Sequence, residues 1–178
     1  MVTVFEWDMF RHTQGGFSVG HASMLVNAHQ GSIYISFWPA AHSLSAGWAS
    51  AAKVHFINGD IKADGQPSWA SKPISTLNEN AIINWWSKVQ NNPLLNYKNP
   101  TPIQKKGMDN AKPGNVYAVL FNSCSTAILK ALWTGADPPT QNKILVWSAL
   151  NKGGVPWGPF RLPTITPLDV KNLVEYIF

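Results

Sequence analysis

A single cysteine in 178 residues leaves no partner for a disulfide within the chain, so the fold does not depend on an oxidising compartment for internal cross-links. Charge is scarce as well. Lys, Arg, Asp and Glu together make up 13% of the residues, against a usual share of about 25%, and solubility therefore falls to Asn, Gln, Ser and Thr. No apolar run reaches the length of about 18 residues that spans a bilayer, so no transmembrane segment is expected. The opening run MVTVFEWDMF carries Glu6 and Asp8 where a secretory signal needs basic residues before an apolar stretch. The five histidines and one cysteine show neither the HExxH spacing nor paired CxxC motifs, and no metal and no cofactor is expected. The surplus of 14 Lys+Arg over 9 Asp+Glu would suit an anionic partner. The lysines are dispersed, however, apart from Lys105-Lys106, and no nucleic-acid-binding motif accompanies them, so nucleic acid is not an expected partner.

What is present is a folded chain of one domain, 1–178, with 45% hydrophobic residues. Alternation predicts a first strand over residues 2–10, closed by Thr13-Gln14-Gly15-Gly16. Two β-prone runs follow, 21–26 and 33–38, joined by a stretch with hairpin-loop composition and ended by Pro39. Residues from about 40 to 75 are rich in Ala, Ser, Gly, Asp and Pro and read as a long, partly irregular insertion. Thr76 and Glu79 have the spacing of a capping box, which predicts a helix to about Val89. Beyond the proline-rich loop 91–114, residues 115–121 read as a strand. A helix begins directly afterwards, places Cys124 at its start and is stopped by Gly135. Thr166 as cap with Pro167 at the first helical position begins a last helix. The class is α+β: a short antiparallel sheet with the Cys124 helix packed against it and the other two helices outside.

Chemistry points to Cys124. A cysteine is nucleophilic as thiolate, and a helix amino terminus lowers its pKa from the free value of about 8.5. The N–H of Cys124 could also help to hold an oxyanion. Gly20-His21 opens a β run, where a strand holds an imidazole firmly and glycine lets a substrate backbone approach, so His21 is the natural base. His42 is second. A third residue should orient the base; on the neighbouring strand Ser36 is the polar side chain in reach, with Asp8 or His42 as alternatives. Trp38, Trp48, Trp69 and Trp157 lie in Pro/Gly/Ser-rich segments where aromatic side chains can line a groove. Gly20, Trp38, His42, Ser123 and Trp157 are thus the candidates for contact with substrate.

The runs Gly20-His21-Ala22-Ser23-Met24-Leu25-Val26, Tyr34-Ile35-Ser36-Phe37-Trp38-Pro39 and Asn122-Ser123-Cys124-Ser125-Thr126-Ala127 resemble the NlpC-like, circularly permuted branch of papain-fold cysteine hydrolases. In that branch the histidine strand precedes the cysteine helix, as here. The resemblance covers about a third of the chain. It implies a papain-like core, Cys124 as nucleophile, His21 as base and a polar residue on the next strand, matched by Ser36, where a carboxylate, amide or histidine is more usual. It also implies an amide bond in peptidoglycan or protein as substrate, or a lipid ester through the same dyad. Similar proteins include effectors and toxins exported by dedicated bacterial machines to act in a target cell or periplasm, and an inhibitory immunity protein is a conceivable partner; a cytoplasmic location is the alternative.

Two plainer readings stand beside these. A cysteine at a helix start is more often a packed small residue than a nucleophile, although polar Asn122-Ser123 and Ser125-Thr126 on either side argue against deep burial. The Trp-rich loops could belong to a non-catalytic module that binds glycan or protein.

Overall fold

The apolar alternation at the amino terminus forms a strand, as the sequence pattern predicts. The computed structural model describes residues 1–8, 20–39, 50–54, 56–90, 116–117, 123–152 and 165–178. Four principal strands, β1 (Val2–Trp7), β2 (His21–Ala28), β3 (Gly31–Pro39) and β4 (Ser50–Val54), form an antiparallel meander. Two-residue strands β5 (Trp69–Ala70) and β6 (Val116–Tyr117) extend its edges, in the order β5-β1-β2-β3-β4-β6. Register sets Val4 opposite Met24 and Met24 opposite Ile35, while Phe5, Ser23 and Ser36 form the adjacent row. Since side chains alternate across a strand, the first row belongs to one face and the second to the other.

Five helices are described: α1 (Ile57–Asp64), α2 (Glu79–Gln90), α3 (Cys124–Gly135), α4 (Pro138–Lys152) and α5 (Pro167–Ile177). The class is therefore α+β, as the sequence implies. The Val4–Met24–Ile35 row shares one core cluster with Ile82 and Trp86 of α2, Ile128 and Leu132 of α3, and Val170 and Leu173 of α5. Among the described residues no helix is long and apolar enough to cross a membrane.

Several boundaries differ from the sequence reading, each for a local reason. The stretch expected to be a partly irregular insertion contains β4, α1 and β5. Helix α1 was hidden because Ile57-Asn58-Gly59-Asp60 starts it without any side-chain cap and holds weak helix formers. Helix α2 begins three residues after Thr76, because the Asn78 side chain accepts the Ala81 N–H at 3.0 Å and takes the capping role. Helix α4, which the sequence reading does not include, opens on Pro138 and Pro139, in the first turn where a missing N–H is no loss. The cap of α5 is as expected, with Thr166 and Asp169 capping each other's backbone N–H groups.

Gly135 marks the tightest contact between helices. A Cβ placed there would lie 2.6 and 2.8 Å from Cδ1 and Cγ1 of Ile82, which is fully buried and has nowhere to retreat. Gly135→Ala is therefore expected to destabilise the protein by about 1–3 kcal/mol through overpacking, read as a lowered urea midpoint with an unchanged m-value.

Candidate active site

Ser123 sets the start of α3. With φ −95° and ψ 178° it lies just outside the helix; its hydroxyl accepts the Thr126 N–H, and Thr126 Oγ1 accepts the Ser123 N–H at 2.7 Å. Cys124 is thus the first helical residue, where the unpaired N–H groups of a helix favour negative charge. The expectation that polar neighbours would keep Cys124 from deep burial fails. Cys124 is 4% exposed, and Ser123, Ser125 and Thr126 are buried with it, because the reciprocal cap satisfies the two hydroxyls at no expense in hydration.

His21 is the first residue of β2, directly after Gly20, whose φ of +76° is a value that L side chains rarely adopt. Glycine at this position thus has a conformational reason as the hinge into the strand. The His21 ring packs between Trp7, with centroids 5.3 Å apart, and Trp38, at 4.5 Å. This places the imidazole in a dry, aromatic slot, 2% exposed.

Cys124 and His21 are hydrogen-bonded and electrostatically coupled. Burial pushes the thiol pKa up, but the His21 charge, the hydrogen bond to it, the Ala22 N–H and the Ser125 hydroxyl outweigh burial and hold it below its ordinary value. Burial likewise works against a charged His21. The Asp60 carboxylate, the Cys124 thiolate and hydrogen bonds to both prevail and push its pKa up to about 10. The physical cause is the same on each side: two opposite charges in a site where water screens neither.

Asp60, on α1, is the residue that sequence reasoning missed. It is fully buried, and Oδ2 lies 3.2 Å from His21 Nε2. Ser36 Oγ lies 3.1 Å from the same nitrogen and donates to Asp60 Oδ1 at 2.9 Å. Tyr34 Oη donates to Oδ2 at 2.7 Å, and Trp38 Nε1 to Oδ1 at 2.8 Å. A further bond, Trp7 Nε1 to the Gly65 carbonyl at 2.8 Å, ties the end of α1 to β1. Ser36 therefore does reach His21, as expected, but shares that place with a carboxylate. Asp8 does not meet the ring among the described contacts; it is exposed, and its N–H donates to Ser68 Oγ at 3.1 Å. Glu6 is buried, and burial pushes its carboxyl pKa up with the help of Asp8.

One signal for Asp60 exists in the sequence. Ile57, Asp60, Ile61 and Asp64 have helical i, i+3, i+4, i+7 spacing, so the two acids lie on the stripe that the isoleucines would turn inward. An acid on such a stripe needs partners.

Of the other candidates, Trp38 lies against His21 with its indole N–H turned to Asp60, and Ser123 caps the helix. His42, Trp48 and Trp157 lie outside the described residues, as does Asn122. Trp69 lines a cleft of about 510 Å³ between the β5 edge and the end of α5, apart from the thiol. Among the described residues no group of three His, Cys, Asp or Glu is arranged to hold a metal ion.

Comparison of the chain with protein-family models, with curated proteins and with solved structures gave no match in any of the three.

Proposed function

We propose that the protein is a cysteine hydrolase that cleaves an amide bond, in a peptidoglycan peptide or a protein, through Cys124, His21 and Asp60. The observation that carries this reading is the coupled Cys124–His21 pair whose far nitrogen meets a buried carboxylate. Such a constellation has the three parts of a nucleophilic triad: a thiol at a helix amino terminus, an imidazole in contact with it, and an anion that orients the imidazole. The order in the chain, with the histidine strand β2 before the cysteine helix α3, supports a permuted papain-like core of the NlpC-like type. Asp60 supplies the carboxylate that is more usual in that branch than Ser36.

In the mechanism, the Cys124 thiolate attacks the carbonyl carbon and backbone N–H groups at the start of α3 receive the oxyanion. His21 gives its Nδ1 proton to the departing amine as the C–N bond breaks, leaving a thioester on Cys124. Water then gives a proton back to Nδ1, its oxygen attacks the thioester, and the acid leaves. The lack of disulfides, together with the resemblance, favours an effector delivered by a bacterial export apparatus, with an immunity protein as its natural inhibitor.

The test is a panel of peptidoglycan fragments, unfolded proteins and lipid esters, followed by mass spectrometry of the intact chain. An acyl adduct on Cys124 from the amide substrates, absent in Cys124→Ala, supports the proposal. An adduct from esters alone makes the protein a lipid hydrolase. No adduct with any class, together with glycan binding retained in Cys124→Ala, would make it a binding module.

A further inference from the structure

Among the described residues, the groups around Asp60 favour one arrangement of hydrogens. An indole N–H only donates, so Trp38 supplies Asp60 Oδ1 at 2.8 Å and Ser36 Oγ at 2.9 Å. The single hydroxyl hydrogen of Ser36 goes to Asp60 Oδ1 at 2.9 Å, an ionised and nearer acceptor than His21 Nε2 at 3.1 Å. Tyr34 stays a phenol, since burial and the Asp60 charge push its pKa up, and its hydrogen goes to Oδ2. Tyr34 Oη is then an acceptor for Ser23, 2.6 Å away and fully buried. His21 Nε2 faces Asp60 Oδ2 and Ser36 Oγ, neither of which has a hydrogen left to give. Nε2 therefore carries one, and Nδ1 is the nitrogen that exchanges a proton with Cys124.

We propose that Tyr34 and Trp38 are positioning residues of the thiol site: through Asp60 they hold the His21 imidazolium in place and fix which nitrogen keeps its hydrogen when the ring gives one up. This rests on the Cys124–His21 reading above and extends it to two residues on β3 that bond the Asp60 carboxylate. Among the described residues, Asp60 from α1 and Cys124 from α3 are the charged groups that face the ring, while β1 and β3 present the indoles of Trp7 and Trp38 and the Ser36 hydroxyl. With Tyr34 2% exposed and Ser23, Ser36 and Asp60 fully buried, water has no ready place to substitute for a lost donor. Each removed N–H or O–H leaves the carboxylate freer to turn, and the imidazolium less firmly held.

The experiment uses the full chain labelled with 13Cβ-cysteine and 15N-histidine. The sole cysteine gives one Cβ resonance whose shift reports thiol against thiolate, and the His21 nitrogens report which of them is protonated. Tyr34→Phe and Trp38→Phe keep the rings and remove one donor each. In both, the Cys124 midpoint is expected to rise by about one pH unit, roughly tenfold less thiolate below the midpoint, and the 15N shifts to show a mixture of ring states. A merely structural role would lower the melting temperature and leave the midpoint of the folded protein in place. A low wild-type midpoint that stays unmoved in both folded variants would overturn the positioning role alone, whereas an ordinary midpoint in the wild type would overturn the thiolate reading beneath it. If Tyr34→Phe does not fold, Trp38→Phe decides the matter by the same readings.

Discussion

Asp60→Ala is expected to destabilise the protein by about 3–5 kcal/mol, the usual range for removing one partner of a buried charged pair. The cause is specific. Without the carboxylate, the Tyr34 and Ser36 hydroxyls, the Trp38 indole and His21 Nε2 lose a shared acceptor in a place that is almost fully dry. Asp60→Asn separates this loss from the chemistry, because it preserves the shape of the side chain. An amide offers one acceptor atom and one donor atom. Whichever way it turns, its NH2 meets a pair of existing donors, either Trp38 with Ser36 or Tyr34 with His21. The easiest relief is for the hydrogen on His21 to move to Nδ1, which removes the base facing Cys124. Under the proposed mechanism, turnover is expected to fall by about 10³–10⁴-fold, the scale of the same carboxylate-to-amide change in a serine triad. Urea unfolding and steady-state rates check the two halves separately. A stable, fully active Asp60→Asn protein would remove Asp60 from the site.

His21→Ala is expected to reverse the state of the thiol. Burial alone pushes the Cys124 pKa up, and the largest opposing influence is His21, so the variant thiol should titrate above its ordinary value of 9.0. The variant should also change how stability depends on pH. In the wild type His21 moves from about 6.5 unfolded to about 10 folded. Its contribution is complete below 6.5 and is lost as pH rises through 10. The Cys124 pKa moves downward from 9.0, so its contribution is complete above 9.0 and is lost as pH falls through the folded value. At any pH between 6.5 and 9.0 at which the folded thiol is ionised the two slopes cancel, since folded and unfolded pairs then hold the same number of protons. The pair therefore contributes no pH dependence to the urea midpoint in that window, and its contribution falls on either side. His21→Ala should remove the acid-side fall, since the variant thiol is protonated in both folded and unfolded chains there, while its raised pKa keeps a fall above 9.0. A variant with the wild-type profile would show that the two groups do not titrate as a pair.

Much of this site is legible in the sequence, and what is not has physical causes. Gly20-His21 ahead of an apolar run, Pro39 at the end of the next one, and Ser123 with Thr126 around Cys124 are local signals, and the structure puts β2, β3 and α3 where they point. Ser36 follows from period-2 alternation on a paired strand, and it does face His21. Asp60 lies 39 residues from His21 on a helix whose start has no side-chain cap, so its only local signal is the helical spacing it shares with Ile57, Ile61 and Asp64. Its burial is a tertiary fact, created by donors on β3 and by α1 lying over that part of the sheet. The burial of Cys124 was misjudged for a related reason: hydroxyls that satisfy one another within a cap do not need water, so polar flanks are a poor guide to exposure.

The most direct measurement is the pH titration of the Cβ resonance of Cys124 in the wild-type chain, which needs no reagent to reach a residue that is 4% exposed. A thiolate at neutral pH, with a midpoint well below the free-cysteine value of about 8.5, is the result expected of a Cys124–His21–Asp60 site. A thiol that stays protonated past pH 9.0, as burial alone would dictate, would contradict it.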